Sequence, residues 1–592
     1  MANCKSPSFF VLQWLQKAGD SSPSPSSAAA APAPSTTSQS LSELGIASPP
    51  DSAGKLPQAE LFLDGAAAYT TTSSAATDSA SEGPATIPPS PGSSDVAQDK
   101  LLGSLLAAGF DEESCRSRYQ LASLYRRRTS PYKPSPNLIE GLRRYEALHE
   151  RCGPYTGAYN MSLLRLKPAG GGRPIRSAMC KYLVWTPENG LGNRMVSLAS
   201  AFLYALLAER VLLIDSSKDL GGLFCEPFPR STWLLPREFP LKVSATFNQK
   251  HPQSYGNLLR TAGVAAALPP LLGTLPPSFV YAHLSHDYDS NDKRFFCGPD
   301  QHLLEKIPWM VLRSDQYFTP ALFLVPAFRG RLGRMFPEKE AVFHHLGRYL
   351  FHPTNAVWGL ITDYYEAHLA RGSEMLGIQI RLHFRKEPAL ELVVRQILNC
   401  TWTHKLLPEV LGRRRRPLAA AATVNGSSGP SPSKAVLLTS LHAGFLERLE
   451  GVYGREQAAG VSFHQPSQEG RQRTGKEEHD AKALAEMYLL STAEELVTSA
   501  WSTFGYVAQG LGGISPWILR GPVHTRVPEP ACVRGASMEP CFHYPPNYDC
   551  ATGDYMDTRK MLAPFTSKCG DRKGGLKLVG RKRKMTRSTS QR

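Results

Sequence analysis

The stretch from residue 181 to residue 215, KYLVWTPENGLGNRMVSLASAFLYALLAERVLLID, decides the fold. Lys181–Trp185 is a short apolar run that predicts a buried strand, and the loop 187–194 separates it from the helical pattern Met195–Glu209. A second apolar run, Val211–Asp215, completes a β-loop-α-β unit. Because two parallel strands need a crossover of this kind, the stretch predicts a parallel sheet with a right-handed connection.

A second alternating set of strands and helices follows the predicted helix Thr354–Ala370. Its predicted strands are Met375–Arg381, Ala435–Ser440, Gly460–Phe463, Leu496–Ser499 and Trp517–Leu519. Two Rossmann-like halves that face each other across a cleft are the simplest architecture for this order. The region 216–350, rich in proline and aromatic residues, carries no pattern that predicts its elements.

Composition divides the chain of 592 residues further. Residues 20–98 are dominated by Ser, Ala, Pro and Thr, which predicts a disordered stalk. The predicted segments are an N-terminal piece (1–19), the stalk (20–98), an N-terminal Rossmann-like domain on the acceptor side (99–352), a C-terminal Rossmann-like donor-binding domain (353–579) and a basic tail (580–592).

The net charge of the chain is +16. Residues 20–98 have a net charge of −7, with one basic and eight acidic residues, so the rest of the chain has a net charge of +23. A basic surface attracts nucleic acids, anionic polysaccharides or anionic nucleotides, and it is also a common solvated face. The sequence contains no RRM, KH, zinc-finger or helix-turn-helix signature, so no nucleic-acid partner is expected.

Eleven cysteines occur, and ten of them lie beyond the stalk. No CxxC pair or zinc-spaced histidine accompanies them, so we expect disulfides in an oxidising compartment, although buried free thiols stay open. Three sequons point to the same compartment and predict glycosylation at Asn160, Asn399 and Asn425. Near the N-terminus the apolar run Phe9–Leu15 falls short of the ~20 residues that span a membrane.

Residues 495–513, ELVTSAWSTFGYVAQGLGG, predict an anion site. A buried strand runs into a turn that carries Ser499, Ser502 and Thr503, and an apolar helix follows. Free N–H groups and the helix dipole at such a turn suit a phosphate group. Arg381 ends the strand LGIQIR, where a guanidinium can bridge two phosphate oxygens; the alternative is an arginine paired with a local carboxylate.

The loop NGLGNR carries Gly190, Gly192, Asn193 and Arg194 at a strand-to-helix turn. Its glycines permit close approach of a ligand to the backbone, and its polar groups are suited to holding one. The third glycine of the dinucleotide fingerprint is missing, so a purely structural turn stays open.

Asp315 is a candidate general base in the segment RSDQYF, and it could equally cap the turn before Pro320. Asp287 and Asp289 imitate a DxD metal motif, but this tripeptide arises often by chance, and no metal site is expected.

Six motifs together resemble the plant xyloglucan fucosyltransferase family from about residue 99 to residue 579. They are CKYLVWTPENGLGNRMVSLASAFLYALLAERVLLID, LFCEPFPRSTWLLP, LGIQIR, AEMYLLS, LVTSAWSTFGYVAQGLGGISPWIL and SMEPCFHYPPNYDC. The resemblance implies a GT-B-like α/β fold and transfer of L-fucose from GDP-fucose to a galactose 2-hydroxyl, in xyloglucan or arabinogalactan-type glycans.

By position, the resemblance implies a phosphate contact for Arg381 and a general-base role for Asp315. It implies that the nucleotide lies against Ser499, Ser502, Thr503, Phe504 and Gly505. The loop with Gly190, Gly192, Asn193 and Arg194 is expected to face the cleft from the other half.

The donor carries a β-linked fucosyl group and the product is an α-fucoside, so the expected transfer inverts configuration. Arg381 and a helix N-terminus could stabilise the departing diphosphate, so no cofactor and no metal ion are expected. We expect GDP-fucose and a galactose-containing polysaccharide or proteoglycan as partners, a homodimer as the assembly, and the Golgi apparatus as the location. The membrane anchor of the family is not visible in this sequence. A catalytically silent glycan-binding relative and a protein O-fucosyltransferase are the alternatives.

Overall fold

The computed structural model describes residues 99–125, 127–166, 180–215, 220–242, 247–262, 277–382, 387–410, 434–454, 460–521 and 526–580. The predictions for the N-terminal segment 1–19, the stalk 20–98, the sequon at Asn425 and the basic tail from residue 581 onward lie outside these residues.

The first sheet is parallel and has the strand order β2-β1-β4-β3. Its strands are β1 (Lys181–Thr186), β2 (Arg210–Ile214), β3 (Phe279–His283) and β4 (Trp309–Arg313). β1 and β2 match the sequence prediction to within one residue, whereas β3 and β4 come from the region that showed no pattern. The chain leaves β1 toward β2 and later returns to β4 on the other side, so a topological switch point lies between β1 and β4.

The second sheet has the order β10-β9-β8-β5-β6-β7 and is parallel except for the β9–β10 pair. Its strands are β5 (Glu374–Gln379), β6 (Lys434–Thr439), β7 (Val461–His464), β8 (Glu495–Ser499), β9 (Trp517–Leu519) and β10 (Cys532–Arg534). The chain reverses its direction of winding between β5 and β8, which creates a second switch point. Two parallel sheets of this kind confirm the predicted GT-B-like α/β fold.

Helices surround both sheets. The α-helices are α1 (Arg116–Leu124), α2 (Pro136–Cys152), α3 (Gly157–Leu163), α4 (Leu191–Ala208), α5 (Leu220–Leu223), α6 (Tyr255–Ala262), α7 (Gly298–Leu304), α8 (Thr319–Leu322), α9 (Pro326–Met335), α10 (Val342–Leu350), α11 (Asn355–Tyr364), α12 (Glu387–Thr403), α13 (Gly444–Tyr453), α14 (Glu477–Ser491) and α15 (Thr503–Gly512). Short 3₁₀ segments are Leu164–Leu166, Asp292–Phe296, Lys339–Ala341 and Thr558–Met561, and Tyr365–Leu369 extends α11 as a π-helix.

Helix α4 begins four residues earlier than its apolar pattern indicated. Gly190 is its N-cap residue, so Gly192, Asn193 and Arg194 lie in the first helical turn and not in a loop. The helix is apolar on nearly every face because it packs on the first sheet and against α15. It is the one described helix long and apolar enough to span a membrane, and 89% of that apolar window is buried inside the fold.

All ten cysteines beyond the stalk form disulfides, which confirms the disulfide prediction. The pairs are Cys115–Cys225, Cys152–Cys180, Cys297–Cys550, Cys400–Cys532 and Cys541–Cys569. Cys297–Cys550 joins residues 253 positions apart in sequence, one before β4 and one after the second sheet.

The segment after the second sheet, residues 537–580, packs back against elements of the first half of the chain. We call it the return segment. It contains the two-stranded pair β11 (Thr566–Lys568) and β12 (Leu576–Leu578). Its Glu539 accepts hydrogen bonds from the hydroxyl of Tyr317, at 2.5 Å, and from the backbone N–H of Phe343, at 2.7 Å. The return segment thereby contributes side chains to the space between the sheets.

Candidate active site

A cavity of about 700 Å³ lies at the carboxyl ends of both sheets. It is lined by residues that follow β1, β5 and β6, by the turn between β8 and α15, and by the return segment. Both topological switch points therefore open into the same cavity. Ligands of α/β proteins bind at such positions, since the loops diverge there and leave room.

The helices α4 and α15 begin side by side at the floor of this cavity. A Cβ at Gly192 would lie 2.8 Å from the carbonyl carbon of Thr503 and 2.8 Å from the amide nitrogen of Phe504. Only glycine allows this approach, because both contacts are to backbone atoms. From the sequence, Gly192 was predicted to let a ligand approach the backbone. In the structure it lets the N-termini of the two helices meet.

Helix α15 starts from a turn formed by a left-handed residue and an N-cap serine. Trp501 has φ +59°, a left-handed conformation that turns the chain between β8 and the helix. Ser502 is the N-cap residue and accepts a hydrogen bond from the backbone N–H of Gly505 at 3.5 Å. The first-turn N–H groups of Thr503 and Phe504 have no intrahelical acceptor, and both residues line the cavity. The turn therefore directs backbone N–H donors into the cavity, an arrangement that suits an anion.

Arg381 lies in the same cavity, two residues beyond the end of β5. Its Nη2 donates to Oε1 of Gln472 at 3.2 Å, and its backbone N–H donates to Oγ of Ser499 at 2.9 Å. Among the described residues the guanidinium forms no ion pair with a carboxylate, and its side-chain partner is the neutral amide of Gln472. Partial desolvation lowers the pKa of Arg381 from its ordinary value.

Ser499 and Gly505 do not line the cavity. Ser499 donates its hydroxyl to the carbonyl oxygen of Gln379 at 3.4 Å and accepts from Arg381, so it fixes the backbone that carries the guanidinium. A Cβ at Gly505 would lie 3.1 Å from Thr498, so this glycine allows α15 to pack on β8. The structure thus gives both residues supporting roles, and their contact with a nucleotide stays a prediction from the resemblance.

Arg194 also differs from its prediction. It is fully buried, and its Nη2 lies 2.6 Å from Oδ2 of Asp480 on α14, which is 2% exposed. The same carboxylate oxygen accepts from the backbone N–H of Gly475 at 3.2 Å. Arg194 therefore joins α4 to the second half of the chain below the cavity, and its side chain does not face the cleft.

Asn193 connects the two halves at the cavity floor. Its Oδ1 accepts from Oγ1 of Thr503 at 2.9 Å, and its Nδ2 donates to the backbone carbonyl of Asp315 at 3.1 Å. Gly190 and Asn193 both line the cavity, in agreement with their predicted position. These hydrogen bonds tie the start of α15 to the end of β4.

Asp315 lies behind the cavity wall, with its side chain 4% exposed. Its carboxylate accepts from Nδ2 of Asn189 at 2.8 Å, Nε2 of Gln316 at 2.7 Å, and the backbone N–H and Nδ1 of His286 at 3.0 and 2.7 Å. Four donors occupy its lone pairs, and Asp315 does not line the cavity. The residue predicted to take a proton from a substrate is thus out of direct reach of one.

Arg572, which the sequence did not single out, enters the cavity from the return segment. Its guanidinium lies 5.2 Å from the ring centroid of Trp501 and 4.7 Å from that of Tyr544. Cation–π contacts of this kind hold a guanidinium in place without neutralising its charge. The motif SMEPCFHYPPNYDC contains Tyr544. Arg572 lies 28 positions after Tyr544, in a stretch without a motif that would mark it as a site residue.

A buried carboxylate lies in another part of the cavity wall. Glu486 of α14 accepts a hydrogen bond from Oγ of Ser467 at 2.5 Å, and burial raises its pKa to about 8.

The two aspartates of the DxD-like tripeptide have partners outside this cavity. Asp287 accepts a hydrogen bond from Nε2 of His283 at 2.8 Å, and Asp289 forms an ion pair with Arg260. The sequon residues Asn160 and Asn399 are exposed.

The chain that forms this cavity is similar to a family of known proteins. The family model described as xyloglucan fucosyltransferase matches residues 70–551. A galactoside 2-alpha-L-fucosyltransferase of Arabidopsis thaliana is 49% identical over 498 residues, covering 83% of this chain and 85% of the relative. The enzyme of the same name from Pisum sativum is 48% identical over 489 residues, covering 82% and 83%.

A solved structure supports the same conclusion. A mutant form of Arabidopsis thaliana FUT1 in complex with GDP superimposes with a TM-score of 0.72 at 48% sequence identity. The match covers 81% of this chain and all of that one. On sequence and fold together, the chain belongs to the xyloglucan fucosyltransferase family and is a fucosyltransferase.

Proposed function

We propose that the protein transfers L-fucose from GDP-fucose to the 2-hydroxyl of a galactose in a plant cell-wall glycan of the xyloglucan or arabinogalactan type. One observation carries the proposal: the start of α15 lines the same cavity at a switch point as the guanidinium of Arg381, which has no carboxylate partner among the described residues. The names of the two plant relatives and the GDP held by the solved neighbour support it.

The diphosphate of the donor fits the cationic end of the cavity. Arg381 presents its guanidinium there, and Thr503 and Phe504 present backbone N–H groups at the positive end of a helix dipole. As the bond from fucose C1 to the phosphate oxygen breaks, negative charge develops on the departing GDP. Donors fixed in advance stabilise that charge more in the transition state than in the ground state.

The guanine end of the donor fits the wall that carries Glu486. Guanine presents N–H donors at N1 and N2, and the ionised form of Glu486 would accept both and so distinguish guanine from adenine. Two such hydrogen bonds favour that ionised form against the burial that raises the pKa of Glu486. Ser467 holds Glu486 in place, and both residues line the same cavity as Arg381.

Inversion and metal independence belong to the same proposal. Attack on the β-linked donor from the face opposite GDP gives an α-fucoside. The cationic groups already described supply the charge stabilisation that a divalent ion gives in other transferases.

The direct test incubates the full chain with GDP-fucose labelled in the fucose and with separate acceptors. The acceptors are galactosylated xyloglucan, an arabinogalactan and a peptide. We expect GDP release together with retained label on one of the polysaccharides, an α-(1,2) linkage by NMR, and the same rate in EDTA. Label on the peptide alone would favour protein O-fucosylation. Glycan binding without GDP release would favour a silent relative.

We also propose that the enzyme works in the Golgi lumen and forms a homodimer. Five disulfides and the exposed sequon residues Asn160 and Asn399 support an oxidising secretory compartment. A fluorescent fusion of the full chain should colocalise with a Golgi marker, and light scattering of the purified protein should give twice the mass of one chain. A diffuse cytosolic signal or a monomer mass would contradict these points.

A further inference from the structure

A histidine stands in front of Asp315, between this carboxylate and solvent. The strands β3 and β4 are parallel neighbours, with His283 paired to Arg313, so the loops that follow them meet. His286 from the first loop donates its backbone N–H and its Nδ1–H to Asp315 of the second, at 3.0 and 2.7 Å. Its side chain is 50% exposed, against 4% for Asp315.

We propose that His286 is the catalytic base that takes the proton from the acceptor hydroxyl, with Asp315 as its positioning residue. The inference rests on the proposed function. In the neutral ring the hydrogen bond to Asp315 keeps the proton on Nδ1, which leaves the lone pair of Nε2 as the acceptor. Among the described residues Nε2 has no hydrogen-bond partner.

His286 lines a second cavity of about 250 Å³, which we call the side chamber. Three residues line both the side chamber and the larger donor cavity: His543, Tyr544 and Arg572. An acceptor sugar in the side chamber and a donor in the larger cavity would therefore share one wall. The ring centroids of His286 and Tyr544 are 6.1 Å apart, so the proposed base lies beside that shared wall.

The proposed step balances with these groups alone. The O–H bond of the acceptor breaks and its proton goes to Nε2 of His286. The oxygen's electron pair forms the new bond to fucose C1, and the pair of the old C1–O bond leaves on GDP. The imidazolium that forms stays hydrogen-bonded to Asp315, whose negative charge stabilises it.

The charges around His286 set the pH at which it acts. Burial lowers its pKa, but Asp315 raises it, with smaller contributions from Asp287 and Glu188, and the net pKa lies above the ordinary value. The other titratable and charged groups that line the side chamber are Tyr288, Lys293, His543, Tyr544, Arg572 and Lys573. Since the base must be neutral, turnover should fall as the pH drops through this raised pKa.

Substitution of His286 tests the proposal on the full chain, with His302→Gln, an exposed histidine on α7, as the matched control. His286→Ala should lose about 10²–10⁴-fold in kcat, the usual contribution of a general base, while GDP affinity and Tm stay unchanged. Imidazole added to the buffer should restore part of the activity, because the ring position is half exposed. Asp315→Asn should lower kcat and shift the acidic limb of the pH profile to lower pH.

Each other outcome overturns the assignment. His286→Ala with kcat within threefold of the wild type would remove His286 from the chemistry. A loss of turnover with weaker GDP binding or a lower Tm, and without imidazole rescue, would make it a structural residue. The proposed function is judged separately, since it fails only when the wild-type chain itself transfers no fucose to any glycan.

Discussion

Gly192 lies so close to Thr503 that the two helices of the cavity floor touch through their backbones. A Cβ on residue 192 would be 2.8 Å from the carbonyl carbon of Thr503. The contact brings the first turn of α4, which packs on the first sheet, against the first turn of α15, which follows the second sheet. A change in α4 can therefore move the backbone donors that α15 presents to the cavity.

We therefore expect Gly192→Ala to separate the two helix starts. Overpacking against backbone atoms costs about 1–3 kcal/mol of folding free energy, and the shifted donors of α15 should bind GDP less tightly. Thermal unfolding and calorimetric titration with GDP measure the two effects. Gly333→Ala on α9 is the matched control, because a Cβ there meets nothing within 4 Å. Equal Tm and GDP affinity in Gly192→Ala and the wild type would contradict the packing argument.

Arg381→Ala should remove most of the turnover without unfolding the protein. Removing one fixed donor from a developing anion typically costs 10²–10³ in rate, and this guanidinium lacks a carboxylate partner among the described residues, so no buried charge is left behind. The measurement is kcat with GDP-fucose beside the Tm. Arg371→Ala, an exposed arginine before β5, is the control. Turnover in Arg381→Ala within threefold of the wild type would contradict the phosphate role.

Asp480→Ala should destabilise the fold strongly, because it leaves Arg194 in the interior without its carboxylate. Loss of one partner of a buried pair costs about 3–5 kcal/mol. The exposed pair Arg230–Glu150, at 2.6 Å, gives the comparison, and Arg230→Ala should destabilise the fold far less because solvent screens this pair. Urea unfolding of both variants measures the difference. Similar losses for the two pairs would show that burial does not decide their contribution.

Glu539 makes stability depend on pH. Burial raises its pKa to about 8, so the folded protein holds a proton there that the unfolded chain releases near pH 4.5. This contribution to stability is complete below pH 4.5 and is lost as the pH rises through 8. Glu539→Gln should therefore show a smaller fall in Tm between pH 5 and pH 9 than the wild type. Glu478→Gln, whose side chain is 87% exposed, should follow the wild-type curve; an unchanged slope in Glu539→Gln would contradict the assignment.

The clearest of the predicted strands contain a continuous apolar run. The β1 and β6 segments read KYLVWT and KAVLLT, and strands buried on both faces of a parallel sheet need no other signal. The strands β3 and β4 are as fully buried, but the prolines and aromatics around them obscured their period.

The site was harder to predict because its parts meet only in three dimensions. Arg381 and the turn before α15 follow predicted strands, so the rule for sheet edges located them. His286 and Arg572 lie in loops without local pattern, and their roles come from neighbours far away in sequence. Arg194 shows the opposite case: a charged residue beside a glycine turn reads as a ligand contact until its buried partner is known.

The return segment is bonded to the region that carries β3 and β4, far from it in sequence. Cys550 is bonded to Cys297, and Tyr288 donates its hydroxyl to the backbone carbonyl of Tyr544 at 2.6 Å. Loss of the residues after β10 would therefore remove His543, Tyr544 and Arg572 together, and with them the wall that the larger cavity shares with the side chamber.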